Sequence, residues 1–223
     1  MVFVLPILAV VVSFMFVYFV RPKNQKNIKL LLAFSGAFLL ALSFFELLPE
    51  VYEASDSRTV AIFILAGILL QVFLEFFSKG AEHGHTHIDL KESSFPIILF
   101  LSLSLHALIE GVPISDDNNI LYGILVHKIP VAIILSIFLI NSKLKIGLSL
   151  LFISLFALMT PLGSFLNLKS GLVAAYSTQL TALAIGVFFH ISTVVLFESS
   201  QGHSFNLRKL LVIVLGIIIA YFL

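Results

Sequence analysis

Long apolar runs separated by short polar connections dominate the chain. A helix that crosses the hydrocarbon core of a bilayer needs about 17–25 mostly apolar residues, and segments of this kind recur along the whole sequence. We place eight of them at residues 2–20, 28–49, 59–78, 96–114, 119–141, 146–166, 172–197 and 206–223. The pattern therefore predicts an all-α integral membrane protein with eight transmembrane helices, a single polytopic transmembrane domain over residues 1–223.

The basic residues between the runs predict the orientation. Most of the 13 Lys and Arg residues lie in the odd-numbered connections, and the even-numbered ones carry only Arg58 and Lys169. Because cytoplasmic loops carry an excess of Lys and Arg, we expect the odd connections in the cytoplasm and both termini outside. The first run lacks a basic n-region and a small-residue cleavage site, which favours a retained helix over a signal peptide. We expect a multi-pass protein of the plasma (cell inner) membrane.

Composition narrows the chemistry further. Only 11% of the residues are charged, whereas about 25% are charged in a soluble domain. The formal net charge of +1 does not point to a nucleic-acid partner, so the expected partners are the lipid bilayer and small ions. The absence of cysteine excludes thiolate metal sites and disulfides. Small residues such as Gly36 and Gly67 suit close packing within one chain or in a homodimer.

One connection is rich in histidine. The loop at about residues 79–95, on the predicted cytoplasmic side, contains His83, His85 and His87 in the stretch AEHGHTHIDL. Short His-rich tracts bind metal ions through neutral imidazoles. We predict metal binding here, and a solvated polar loop is the alternative.

Ionisable residues also occur within the apolar runs, where they are costly and normally face a partner or an aqueous path. His106 and Glu110 lie four residues apart in the fourth run, so they share one helix face. The polar turn that follows predicts an antiparallel hairpin with the fifth run, which brings His127 to a similar depth. Two imidazoles and a carboxylate form a ligand set that suits zinc and similar ions. The alternative is that Glu110 forms a structural ion pair with Lys128.

Further ionisable residues lie nearer the ends of the runs. Glu46, Glu50 and Glu198 are candidates for an ion pathway or for solvated positions at the interface. His190, deep in the seventh run, is either a pathway residue or a link between helices. Ions would enter past the polar turn that contains Asp116 and leave past Glu46 or His190.

The chain resembles the ZIP family of divalent-metal transporters. The fourth span of that family carries a His-Asn-x-Pro-Glu-Gly pattern, which is similar to HALIEG at residues 106–111. The fifth-span pattern His-x-x-Pro-Glu is similar to HKIPVA at 127–132, and ELLPE at 46–50 and TPLGS at 160–164 resemble motifs of the second and sixth spans. The resemblance implies a ZIP-like bundle and, in many members, two adjacent metal ions.

Four positions depart from the family pattern. Ala107 stands where Asn is frequent, Val131 stands in place of Glu, and Thr160 stands where an acidic residue is common. Lys128 stands at a ligand position of the second metal. We hypothesise that its ammonium replaces the second ion and partly neutralises Glu110, which leaves a single metal site. In the opposite interpretation, the ion pair with Lys128 makes Glu110 unavailable to a metal ion, and the protein no longer transports.

These features together favour a transporter that moves divalent metal ions towards the cytoplasm and is not an enzyme. Zn²⁺ is the expected substrate, with Fe²⁺, Mn²⁺ and Cd²⁺ as the other candidates. An intramembrane metal-dependent hydrolase would use the same ligands to activate water, although the H-E-x-x-H motif of many zinc hydrolases is missing. A metal sensor or partner subunit that does not transport is the third hypothesis.

Overall fold

The computed structural model describes residues 1–22, 25–78, 95–115, 119–198 and 207–223, with the backbone alone for residues 25, 26 and 198. Within these residues the chain is helical and contains no strand, which confirms the predicted all-α class. The helices are α1 (Val4–Val20), α2 (Gln25–Leu42), α3 (Leu48–Ala54), α4 (Ser57–Ser78), α5 (Ile97–Gly111), α6 (Ile120–Asn141), α7 (Ile146–Lys169), α8 (Gly171–Ala174), α9 (Ser177–Glu198) and α10 (Leu207–Tyr221).

The helix ends follow from local sequence. Arg21 ends α1 in the left-handed conformation, at φ 48°, and its N–H donates to the carbonyl of Val17. Asp56 precedes α4 and its carboxylate accepts the N–H of Thr59 at 3.0 Å, as N-cap residues do. The hydrogen bonds from Thr59 hold the pKa of Asp56 below its usual range. Between α2 and α3, residues Ser43–Leu47 form a π-helical turn, so the chain stays helical from Gln25 to Ala54.

Five helical segments are long and apolar enough to cross a membrane: Asn27–Ala54, Ser57–Ser78, Ile120–Asn141, Ile146–Lys169 and Ser177–Phe197. Two further apolar helices, α1 and α5, are shorter. A helix occupies each of the eight predicted runs. The membrane class is confirmed, whereas the number of spans and the side of each terminus stay predictions.

The helices pack around two hydrophobic clusters. One cluster is built mainly from α2, α6 and α9, and α3, α4 and α10 add one or two residues each. The other is built from α1, α5, α6 and α7, and includes Phe14, Leu103 and Phe156. Helices α5 and α6 contribute to both, because Ile109 and Val131 belong to the first cluster. The two helices that carry the predicted metal ligands therefore lie between two helix groups. One group is α2, α3, α4, α9 and α10, and the other is α1 and α7.

Reciprocal glycine contacts bring two helix pairs very close together. A Cβ at Gly67 of α4 would lie 2.0 Å from the carbonyl oxygen of Leu183, and one at Gly186 of α9 would lie 2.0 Å from that of Ile64. Where α5 crosses α7, a Cβ at Gly111 would likewise lie 2.0 Å from the carbonyl oxygen of Thr160. Only glycine allows this approach, since any side chain would collide with backbone.

Gly163 of α7 completes the second crossing, because its Cβ would lie 2.0 Å from the carbonyl oxygen of Leu108 on α5. Gly36 faces Val195 of α9. Both glycines that suited a homodimer, Gly36 and Gly67, therefore serve packing within the chain.

Candidate functional site

Four ionisable side chains are buried where α5 and α6 meet. His106 and Glu110 lie one turn apart on α5 and are 3% and 1% exposed. His127 and Lys128 are consecutive on α6 and are each 1% exposed. Glu110 interacts electrostatically with both histidines and with Lys128. The four side chains therefore lie in one neighbourhood, although α5 packs mainly on α7 and α4, and α6 packs mainly on α1 and α2.

Lys128 pairs directly with Glu110. Its Nζ donates to Glu110 Oε2 at 2.7 Å. The ammonium also lies 5.2 Å from the centroid of the Phe156 ring on α7, which is the range of a cation–π contact. One cation therefore links α5, α6 and α7. The ion pair that the sequence left as an alternative is present.

Several polar atoms at the site have no hydrogen-bond partner. Both ring nitrogens of His127 are buried and unpartnered, and so is Glu110 Oε1. A buried polar atom left without a partner costs about 1–3 kcal/mol, so such groups call for an explanation that includes an absent ion or water. The unpartnered atoms are a carboxylate oxygen and imidazole nitrogens, which are zinc ligands.

The described residues do not place three or more His, Asp or Glu side chains so that they could hold a metal ion as they stand. One oxygen of Glu110 is engaged by Lys128, and His106 is engaged by a residue of another helix. Metal binding by His106, Glu110 and His127 stays a prediction. The residues are adjacent and buried, and closing them around an ion would require movement of side chains.

Gln71 is the site residue that sequence reasoning missed. It is fully buried on α4, and its Oε1 lies 3.2 Å from Nδ1 of His106. One signal was available: Gln71 is an amide in the apolar run LAGILLQVFLEFF, and polar groups at membrane depth normally have a partner inside the protein. Its partner lies 35 residues away and on another helix, which the sequence alone does not reveal.

Hydroxyl and amide groups on α7 fix the end of α5 that carries Glu110. Thr160 Oγ1 donates to the carbonyl of Ala107 at 3.0 Å, and Ser164 Oγ donates to that of Gly111 at 2.8 Å. Asn167 Nδ2 donates to the carbonyl of Val112 at 3.0 Å. Two of the departures from the family pattern, Ala107 and Thr160, thus meet in a hydrogen bond between helices.

Glu46 and Glu50 lie away from this cluster. Glu46, in the π-helical turn, accepts the backbone N–H of Asn119 at 3.2 Å and its side-chain amide at 3.1 Å. Glu50 is exposed and interacts electrostatically with Glu46. Since Asn119 directly precedes α6, both carboxylates lie at the end where α6 begins, which is the end of the predicted entrance. This position does not fit the expectation that ions leave past Glu46.

His190 forms the second ion pair between helices. Its Nε2 lies 2.6 Å from Oε2 of Glu75 on α4. The two side chains are 15% and 25% exposed, so the pair is only partly buried. His190 thus links helices, and a pathway role stays a prediction. The side chain of Glu198 and the loop with His83, His85 and His87 lie outside the described residues.

Comparison with known proteins identifies the family and several relatives of this chain. The family model described as ZIP zinc transporter matches residues 79–223. Zinc transporter ZIP1 of Danio rerio is 35% identical over 130 residues, which are 51% of this chain and 42% of that protein. Protein zntD of Dictyostelium discoideum is 29% identical over 162 residues, 62% of this chain and 24% of that protein.

Zinc transporter ZIP1 of Takifugu rubripes is 31% identical over 150 residues, 59% of this chain and 48% of that protein. The chain spans less than half the length of each of these three relatives. The family match covers well over half of the chain and contains His106, Glu110, His127 and Lys128. The chain therefore belongs to the ZIP zinc transporter family.

Proposed function

We propose that this protein transports divalent metal ions, with zinc as the preferred substrate, towards the cytoplasm through one site made of His106, Glu110 and His127. Family membership supports transport over hydrolysis, and two of the relatives are named zinc transporters. Fe²⁺, Mn²⁺ and Cd²⁺ are secondary candidates, because imidazole and carboxylate ligands also accept them.

One observation carries the proposal: His127 is 1% exposed and neither of its ring nitrogens has a partner. A histidine that only filled space in the bundle would donate its N–H to a nearby carbonyl. A metal ion would satisfy one nitrogen of His127 together with the unpartnered Oε1 of Glu110, while Lys128 keeps Oε2. The carboxylate would then bridge a fixed ammonium and a mobile dication.

Because Lys128 occupies one oxygen of Glu110 and leaves the other to a metal ion, the site suits a single ion. A second ion beside Glu110 would meet the ammonium of Lys128, whose Nζ lies 2.7 Å from Oε2. Repulsion between a dication and an ammonium that share one carboxylate is strong in a poorly polarisable interior. Lys128 therefore takes the place of the second ion and keeps the buried carboxylate neutralised when no metal is bound.

The route follows the charged residues at each end. In an eight-span plasma membrane protein with both termini outside, ions would enter near Glu46, Glu50 and the turn of residues 116–119. They would leave past His190 towards the His-bearing loop at about 79–95. Rocking of the two helix groups against each other would expose the site to each side in turn, because α5 and α6 lie between the groups.

Zinc flux into proteoliposomes tests the proposal. We expect His106→Ala to abolish uptake, since it removes one of three ligands. Ser104→Ala is the matched control on the same helix: Ser104 is 7% exposed and its Oγ has no hydrogen-bond partner, so uptake should be unchanged. Zinc uptake by His106→Ala at the parent rate would reject the site. Zinc binding without flux in the parent would indicate a metal-binding protein that does not transport.

Metal stoichiometry tests the single site separately. We expect one tightly bound zinc ion per chain, and Lys128→Glu should raise this number towards two because it restores an anionic ligand. Two ions bound by the parent protein would contradict the role given to Lys128.

A further inference from the structure

We infer that Gln71 is the positioning residue for the metal-ligand histidine His106: it fixes the imidazole tautomer and so determines which nitrogen binds the ion. This inference rests on the proposed function. It concerns α4, which lies outside the residues that the family model matches.

The first step concerns the proton on the ring. Gln71 Oε1 lies 3.2 Å from His106 Nδ1, and a carbonyl oxygen only accepts hydrogen bonds. The contact therefore requires the proton on Nδ1. In a neutral imidazole the other nitrogen then keeps its lone pair, so Nε2 is the atom available to a metal ion.

The second step concerns how much the hydrogen bond from His106 to Gln71 contributes to metal affinity. Metal-binding histidines almost always donate their second N–H to a nearby acceptor, and losing this partner weakens metal affinity by about 10–100-fold. Gln71 is 0% exposed and His106 is 3% exposed, so water cannot readily replace the amide. A neutral acceptor also adds no charge to a site where Lys128 already balances Glu110.

The third step concerns what holds Gln71 in place. Gln71 lies one turn after Gly67, where α4 and α9 are in backbone contact: a Cβ at Gly67 would lie 2.0 Å from the carbonyl oxygen of Leu183. The amide is therefore presented to His106 by a helix, α4, that is in close backbone contact with α9.

Gln71→Met tests the inference, because methionine keeps the length of the side chain but removes the amide acceptor. We expect zinc affinity, measured by calorimetry on the purified protein, to fall about 10–100-fold. Gln71→Glu retains an acceptor oxygen and adds a negative charge that attracts the dication, so its zinc affinity should not fall below that of the parent. Ser102→Ala is the matched control. It removes a different hydrogen bond between α4 and α5, the one that Ser102 Oγ donates to the carbonyl of Leu74 at 2.5 Å, so its zinc affinity should not change.

A second readout follows the tautomer itself. In ¹⁵N NMR spectra of the metal-free protein, the His106 nitrogens should show a protonated Nδ1 in the parent and a mixture of tautomers in Gln71→Met. Parent-like affinity and tautomer in Gln71→Met would overturn the inference, as would an equal loss of affinity in Ser102→Ala. If His106→Ala binds zinc like the parent, the metal site itself is wrong, and this outcome is distinct from failure of Gln71 alone.

Discussion

The ion pair of Lys128 with Glu110 and that of His190 with Glu75 both join two helices through one carboxylate oxygen, at 2.7 and 2.6 Å. Their surroundings differ. The side chains of the first pair are 1% and 2% exposed, and those of the second are 15% and 25% exposed. The two distances are almost the same, so the pairs differ in how far their side chains are shielded from solvent.

This difference in burial affects both the stability of the helix packing and the role that each pair can have. Removing one partner of a fully buried pair leaves an uncompensated charge, which costs about 3–5 kcal/mol, whereas solvent replaces a lost partner in a more exposed pair. Lys128 supplies a charge beside the predicted ligands, and the imidazole of His190 is charged only when it is protonated. The buried pair therefore suits a fixed counter-charge, and the exposed pair suits a contact that forms and breaks.

Lys128→Met should have the largest effect on stability. The free energy of unfolding in EDTA should fall by about 3–5 kcal/mol, because Glu110 would remain buried without a cation. Zinc should restore part of the loss by binding to that carboxylate. Thermal melting of the detergent-solubilised protein measures both effects. The double variant Lys128→Met with Glu110→Gln is the control and should regain stability in EDTA but not respond to zinc.

A Lys128→Met variant that melts like the parent in EDTA would show that the buried pair contributes no more than the exposed one, and the contrast between them would fail.

Gly163→Ala should have an intermediate effect on stability, because it disturbs the crossing of α7 with α5, the helix that carries Glu110 of the buried pair. The new Cβ would lie 2.0 Å from the carbonyl oxygen of Leu108 on α5, so the two helices must separate, at a cost of about 1–3 kcal/mol. Because Glu110 follows Leu108 by two residues, zinc affinity should fall as well.

Gly147→Ala is the matched control on the same helix, because nothing lies within 4 Å of its added Cβ. We expect no loss of stability or affinity there. Equal results for the two alanine variants would contradict the close crossing of α5 and α7.

His190→Gln should have the smallest effect on stability. The loss should be within about 1 kcal/mol, since the pair with Glu75 is partly exposed. Zinc affinity of the intramembrane site should be unchanged, and the uptake rate in proteoliposomes should fall if His190 lies on the exit route. A destabilisation as large as that of Lys128→Met would mean that the link between α4 and α9 is structural and not part of the route.

Much of the candidate site could be predicted from short-range pattern. The spacing of four residues between His106 and Glu110 places them on one helix face in any α-helix. Two consecutive apolar runs joined by a short polar connection predict that His127 lies at a similar depth. Gln71 and Thr160 could not be assigned in this way. Their partners, His106 and the carbonyl of Ala107, lie on other helices, and helical periodicity does not say which face of one helix meets which face of another.

The sequence by itself determined the membrane class, the positions of the helices and the set of costly ionisable groups, because apolar length and i, i+4 spacing are local properties. Only the tertiary structure decided that Lys128 pairs with Glu110 and that both nitrogens of His127 have no partner. Those outcomes depend on the rotation and depth of each helix. Backbone contacts at Gly67, Gly111, Gly163 and Gly186 help to set that rotation and depth, and they exist only once the helices have packed.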